Sequence, residues 1–467
     1  FGVILVGGFL TLSLARRLEH PADWRWLTAP LLVGLAFVFY LALGLAVLGV
    51  VNLVWHPVEW LVRRRSDRSD RADRAGRAGH VGPDGSEGGP GQSGLADGPW
   101  AVERPWAADP DPPAAGGAGP RRADPAFDQP RHRRRGPQPV TARTRTLRWA
   151  VPIIVTLAVA TTVYGTVQAR TVEVTDVTVT SADLPAAFAG FRVALISDIH
   201  VGPGVSGDFV DALVDQVNAL EPDLVAIAGD LVDGTVAQLG PELAGLGRLQ
   251  APYGTVVVTG NHEFHTGDVD HWLAYLEGLG LTVLDNSGIE LTRQGATIDV
   301  LGINDVRGTG AHTDDLLAAV TTLERAFGTP ADGAGRFRLL VAHQPVQATT
   351  GGDAPARFGV DVQLSGHTHG GQLWPFHYAV LTQQPVLDGV HDIDGVTVVT
   401  SHGVGEWGPP VRVLADPEIV LVTLARPCQW GRFLLSHFTR PCHPERSEGS
   451  LPTKVRSFAA LRMTEQV

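Results

Sequence analysis

The stretch Phe191-Arg-Val-Ala-Leu-Ile-Ser-Asp198-Ile-His200 decides the reading of this chain. It is an apolar run with the length of a buried strand, and it ends on a carboxylate and an imidazole two residues apart. Further apolar runs end in the same way at Gly229-Asp230, at Gly260-Asn261-His262-Glu263 and at Ser365-Gly366-His367-Thr368-His369, and a shorter one ends at His343. In α/β sheets the carboxyl ends of strands are where side chains converge on a crevice. The pattern predicts a metal site there.

Outward from this stretch, Val172 to Thr180 alternates Val with polar residues like a half-exposed strand. Phe209 to Leu220, Val236 to Leu249, His271 to Leu279 and Asp314 to Ala326 have helical spacing. Strands are expected at Asp223 to Ala228, Thr255 to Thr259, Arg338 to Ala342, Val360 to Leu364, Val396 to Thr400 and Ile419 to Leu424, with short strands between Leu281 and Leu301. This alternation predicts an α/β domain over residues 171–425, with a central sheet or two packed sheets and helices outside.

The amino-terminal part is different. The chain begins at Phe1 inside an apolar run to Ala15, which reads as a truncated first membrane segment. Leu31 to Trp55 carries no charge and suffices to cross a hydrocarbon core of roughly 30 Å. Trp149 to Ala169 is a third candidate. We therefore expect transmembrane helices within 1–60 and at 149–169. Residues 61–148 carry 17 Arg and 11 acids among Gly, Pro and Ala, the composition of a disordered linker. Arg63-Arg64-Arg65 follows one apolar segment and Arg143, Arg145 and Arg148 precede the next, which places the linker in the cytoplasm and the α/β domain outside it.

Residues 172–425 hold 32 acids against 9 Arg and no Lys. Such a domain cannot replace the counterions of a nucleic-acid backbone, so nucleic acid is excluded as partner. Cys428 and Cys442, with Lys454 and Met463, fall in a tail, 426–467, that is expected to be unstructured. Its Cys442-His-Pro-Glu-Arg-Ser-Glu-Gly-Ser450 resembles translated intergenic repeats. The spacing of Cys428, His437, Cys442 and His443 does not suit zinc.

Taken in order, Asp198-Ile-His200, Gly229-Asp230, Gly260-Asn-His-Glu263, His343 and Gly366-His-Thr-His369 resemble the signature of the calcineurin-like metallophosphoesterases. That resemblance implies a sandwich of two β-sheets flanked by helices and a binuclear metal centre. Asp198, His200 and His369 would hold one divalent ion, Asn261, His343 and His367 the other, with Asp230 bridging. The donors suit Mn, Zn or Fe, and no thiolate narrows the choice. The implied reaction is attack on phosphorus by a metal-held hydroxide, with His262 near the leaving group. Glu263 stands where many relatives have Asp and would orient a ligand. Asp233 would either orient a ligand or cap the next helix.

The block Gly366-His-Thr-His-Gly-Gly-Gln-Leu373, with Ser401-His-Gly-Val-Gly405 and Pro410-Val-Arg412, is similar to the membrane-associated branch of that family. The branch includes transmembrane phosphoesterases and enzymes similar to those hydrolysing UDP-diacylglucosamine pyrophosphate bonds. A phosphodiester or pyrophosphate, in a small-molecule or lipid-linked substrate, is the first expectation, and a phosphomonoester the second. An inactive metal-holding domain that binds a ligand and signals through the helices is the alternative outside enzymes. Trp374, Phe376 and Trp407 are candidates for a lip beside the crevice, or for plain core.

Overall fold

The computed structural model describes residues 21–78, 142–327, 336–349 and 355–427. The apolar run from Phe1, residues 79–141 of the linker, and the tail with Cys428 and Cys442 lie outside these residues. The chain divides into two compact units, Phe1–Leu45 with Pro152–Val467, and Ala46–Val151.

Two long helices open the described chain, α1 (Arg25–Ala78) and α2 (Ala142–Gln168). Helix α1 runs on through Arg63-Arg64-Arg65, so residues 61–78 are helical where linker was expected. The sequence gives a reason. No Gly or Pro interrupts residues 61–75, which are rich in Arg, a good helix former. Within these helices Arg25–Val58 and Arg148–Gln168 are long and apolar enough to cross a membrane, and only 22 % and 17 % of their most apolar windows are buried. A core helix of a soluble domain would be mostly covered. Before Leu45 and after Pro152 the two pack on each other, with Ala36 and Tyr40 beside Ala158.

Two six-stranded sheets form the rest of the first unit. One contains β1 (Glu173–Thr180), β2 (Arg192–Ile196), β3 (Leu224–Ile227), β4 (Thr255–Val257) and β5 (Thr282–Val283). The other contains β6 (Ser287–Arg293), β7 (Ala296–Gly302), β8 (Arg338–Val341), β9 (Val362–Ser365), β10 (Gly389–Ile393) and β11 (Val396–Thr400). The last strand, β12 (Glu418–Ala425), returns to the first sheet between β1 and β2, so the orders are β1-β12-β2-β3-β4-β5 and β10-β11-β9-β8-β7-β6. The β2, β3 and β4 strands run parallel, as do β7, β8, β9 and β11.

Side-chain alternation explains why β2 and β3 read as unbroken apolar runs. Val193, Leu195, Leu224 and Ala226 point into the core shared with Leu339, Val341, Leu364 and Val399 of the other sheet. Ala194, Ile196, Val225 and Ile227 point the opposite way, against α3 (Gly207–Ala219), α4 (Val236–Leu243) and α6 (Val269–Gly278), with α5 (Asn261–His265) short and lying at the end of β4. Both faces are covered, as parallel sheets require. Helix α3 presents Val210, Leu213, Val214 and Val217 at the i, i+3, i+4, i+7 spacing of one buried face. Helix α7 (Leu316–Phe327) covers the outer face of the second sheet through Ala319, Val320 and Leu323. The result is four layers, helix, sheet, sheet, helix, and the carboxyl ends of β2, β3, β4, β8 and β9 come together at one edge.

Candidate metal centre

Backbone pairing continues past the strand ends and fixes the loops that follow. Asp198 N–H donates to Gly229 O at 3.0 Å and His200 N–H to Asp230 O at 3.1 Å, so the turns after β2 and β3 leave their sheet in register. Five candidate ligands, Asp198, His200, Asp230, His367 and His369, have φ between 50° and 70°. That left-handed region disfavours residues with a Cβ, at about 1–3 kcal/mol each, and is held where the surroundings over-determine it. The chain accepts strain at the positions where it turns a ligand inward. Close approach is also needed: a Cβ on Gly366 would meet Ser197 Oγ and Asp198 Oδ2, and one on Gly405 would meet Ile199 O.

The assigned side chains centre on two groups, beside a third cluster of His200, Asp233 and His262. Asp198, His200 and His369 each place a donor atom within 4.8 Å of the other two, and so do Asp230, His343 and His367. Asp230 joins the groups. Its Oδ2 lies 3.6 Å from His200 Nε2 and 3.2 Å from His343 Nε2, and Asn261 Oδ1 lies 3.2 Å from the same His343 atom. All seven residues assigned from the sequence therefore meet in one place.

Hydrogen bonds orient the donors. His343 Nδ1 donates to Ala228 O at 2.6 Å, leaving Nε2 facing Asp230 and Asn261. His200 Nδ1 donates to Asp233 Oδ1 at 3.3 Å, leaving Nε2 facing Asp198, Asp230 and His369. Asp198 Oδ2 accepts from Ser197 Oγ and from His367 N–H, whereas Oδ1, although buried, has no hydrogen-bond partner. A buried carboxylate oxygen without a donor is costly unless a cation faces it. The donor set fits a pair of divalent ions.

The electrostatics agree. Burial, and then the charge of Asp230, raises the Asp198 carboxyl above its ordinary range. Burial would raise Asp230 too, but His343 and His262 hold it well below that range. Burial works against a charged His343, yet Asp230, Asp198 and Asp305 push it well above an ordinary imidazole. The pocket selects positive charge beside Asp230. Burial lowers His367 to about 3, and burial with His200 and Arg412 lowers His369, so both imidazoles stay neutral as ligation requires.

His262 is built into the same edge. Its N–H donates to Asp230 Oδ1 at 2.7 Å, and its Nδ1 donates to Asp233 Oδ1 at 2.5 Å. The next helix is capped at Thr235, whereas Asp233 holds His200 and His262 together. Burial would raise its carboxyl, and the two imidazoles hold it well below the carboxylate range instead. Glu263 accepts from the N–H groups of Asp230 (3.1 Å), Leu231 (2.7 Å) and Gly260 (2.6 Å), clamping the turn after β3 to the turn after β4.

Two supports were not legible as such in the sequence. Arg412 is fully buried and donates to the carbonyls of His369, His402, Gly403, Gly405 and Ala415, binding the turn after β9 to the loop that lies under Asp198. Asn304 and Asp305 end β7 as the ligand pairs end their strands. Asn304 Oδ1 accepts from Thr259 Oγ1 and Asp305 Oδ2 from Gln344 Nε2, bracing the loops of Asn261 and His343. The strand-then-polar-pair signal was present there too.

The sequence pattern of calcineurin-like phosphoesterases matches residues 191–371. A metallophosphoesterase of Aquifex aeolicus is 30% identical over 241 residues, 50% of this chain and 84% of its own length. This chain belongs to the calcineurin-like phosphoesterase family. Its resemblance extends to membrane proteins: a transmembrane protein with metallophosphoesterase domain from Bos taurus is 34% identical over 291 residues, and its Danio rerio counterpart 33% over 284. Those matches cover 60% and 58% of this chain, and the chain spans 63% and 61% of the two relatives. The family match covers residues up to Gly371, and Arg412 lies beyond it.

Proposed function

We propose that this chain is a membrane-anchored, metal-dependent hydrolase of phosphate esters, acting first on a phosphodiester or pyrophosphate bond of a small-molecule or lipid-linked substrate. The observation that carries the reading is Asp230, whose one carboxylate oxygen lies between His200 Nε2 and His343 Nε2 and so joins two three-donor groups. Asp198, His200, His369 and Asp230 would hold one divalent ion, and Asp230, Asn261, His343 and His367 the other. Ions held there supply Lewis-acid pull on the phosphoryl oxygens.

The chain's own residues do the rest. His262, oriented through Nδ1 by Asp233, would hold or deliver a proton at the leaving oxygen. Asp233 fixes the tautomer and orientation of His262 and His200 at once. The Arg clusters on the linker side of both apolar segments support a cytoplasmic linker and an extracytoplasmic catalytic domain.

The test uses the full chain in lipid nanodiscs, stripped by chelator and resupplied with Mn, Zn or Fe. Cleavage of bis-p-nitrophenyl phosphate restored by one of them, faster than cleavage of p-nitrophenyl phosphate, is the expected result. No cleavage of either ester by protein shown to bind two ions would overturn the reading. Protease digestion of sealed vesicles of known orientation tests the sidedness: the domain after Thr171 should be cut only from outside.

A further inference from the structure

Among the described residues of the catalytic domain, every exposed large aromatic side chain, Trp374, Phe376, Tyr378 and Trp407, falls in two segments that also contain the exposed Leu414. These segments are tied to each other. Trp374 N–H donates to Val413 O at 3.2 Å, Val413 N–H to Gln372 O at 2.8 Å, and the Gln372 side chain bonds Trp407 in both directions at 3.0 Å.

The same two segments receive the helices. Val411, Val413 and Leu373 pack against Ala36, Tyr40 and Ala158. Arg412 N–H donates to Gly165 O at 2.9 Å, and a Cβ on Gly165 would meet Val411 and Val413. Arg25 at the start of α1 bonds Gly202 O and Glu242, so both helices leave the domain from this side. Their outer faces are exposed and apolar, as at Leu31, Leu157, Val163 and Val167. A bilayer that covers those faces begins where the helices meet the domain, and tryptophan and tyrosine favour that boundary.

We infer that Trp374, Phe376, Tyr378, Trp407 and Leu414 form a rim seated in the membrane interface, which directs the neighbouring donor cluster at the phosphate of an amphiphile resident in the bilayer. Arg412 donates to His369 O, and the neighbouring Val413 accepts from Trp374 N–H, so the rim borders the site. The substrate half of this statement rests on the phosphoesterase reading above. The surface half does not.

The surface is tested by fluorescence. The chain has 11 tryptophans, and Trp374→Phe with Trp407→Phe removes two of them from the full chain in phosphatidylcholine vesicles. The emission lost should be the part quenched by dibrominated phosphatidylcholine, with the iodide-accessible part unchanged. Loss of the iodide-accessible part would place the rim in water and overturn the proposal. The substrate half compares hexadecyl p-nitrophenyl phosphate in vesicles with soluble methyl p-nitrophenyl phosphate. Tyr378→Ser with Leu414→Ser, the two most exposed positions, should lower kcat/KM at least tenfold for the hexadecyl ester and less than twofold for the methyl ester. Equal losses, or none, would overturn it. If the wild-type chain with two bound ions cleaves neither ester, the phosphoesterase reading fails, and the quenching result still decides where the rim lies.

Discussion

The two donor groups are alike in composition and differ in what holds them. Asp230, His343 and Asn261 sit at strand ends, braced by Ala228 O, by the Glu263 clamp and by Asp305 through Gln344. Left-handed backbones occur in both groups, at Asp198, His200 and His369 and at Asp230 and His367, but the loops of Asp198 and His369 are held by Arg412 and by the 401–405 segment, whose Gly405 N–H donates to Asp198 O at 2.9 Å. One group is supported by the sheets. The other is supported by a loop that also receives α2 at Gly165. A single candidate metal centre can thus have one half fixed by the core and the other half tied to the apolar helices.

Removing what the halves share should have the largest effect. Asp230→Asn deletes the charge between them, so the rate should fall by about 10³-fold or more, with metal content dropping below two per chain by elemental analysis. Retained metal and activity would break the idea of a joint. His262→Ala removes none of the seven candidate donors. It should cost on the order of 10²-fold in kcat with metal content unchanged, and loss of metal instead would make His262 a structural prop.

Two milder substitutions act on one half each. Arg412→Lys keeps a positive charge but loses the fan of donors to five carbonyls, and Glu263→Gln keeps the shape of the clamp but weakens its hydrogen bonds to three N–H groups. Titrating metal-free protein calorimetrically should show one binding step weakened by about 10-fold in each variant, and a different step in each. Weakening of both steps by either variant would mean the halves are not separately supported.

Much of this was legible in the sequence because the fold writes its strands as apolar runs and ends them on ligands. β2 was expected to Ser197 and runs to Ile196, β11 has the expected bounds, and the ligand-bearing turns follow as read. Helix α4 ends at Leu243, and its expected remainder is a tighter turn from Ala244 to Arg248. Strand β10 was missed because its residues are mostly exposed and its Asp392 and His391 break the apolar pattern; it exists through antiparallel pairing with β11. Arg412 was seen only as part of a motif. A buried guanidinium is defined by the carbonyls that gather on it, and those come from segments up to 43 residues away. Asp233 was ambiguous for the same reason, since cap and brace look identical until His200 and His262 are placed beside it.

The smallest effect concerns the loop of the half tied to the apolar helices. Burial raises Glu406 to about 7, with Arg412 and Arg170 opposing the shift. Its carboxyl therefore keeps a proton in the folded state that the unfolded chain releases near pH 4.3. Between those values the folded state binds more protons, so stability falls as pH rises, and the full penalty, on the order of 3 kcal/mol, is reached above pH 7. Glu406→Gln removes the titration and should flatten that decline. Thermal unfolding of metal-free full chain in nanodiscs from pH 5 to 8.5 should show the wild-type midpoint dropping by a few degrees more than the variant's. If the two profiles are parallel, Glu406 ionises normally and the loop under Asp198 is open to water, which would loosen the half of the centre beside Arg412.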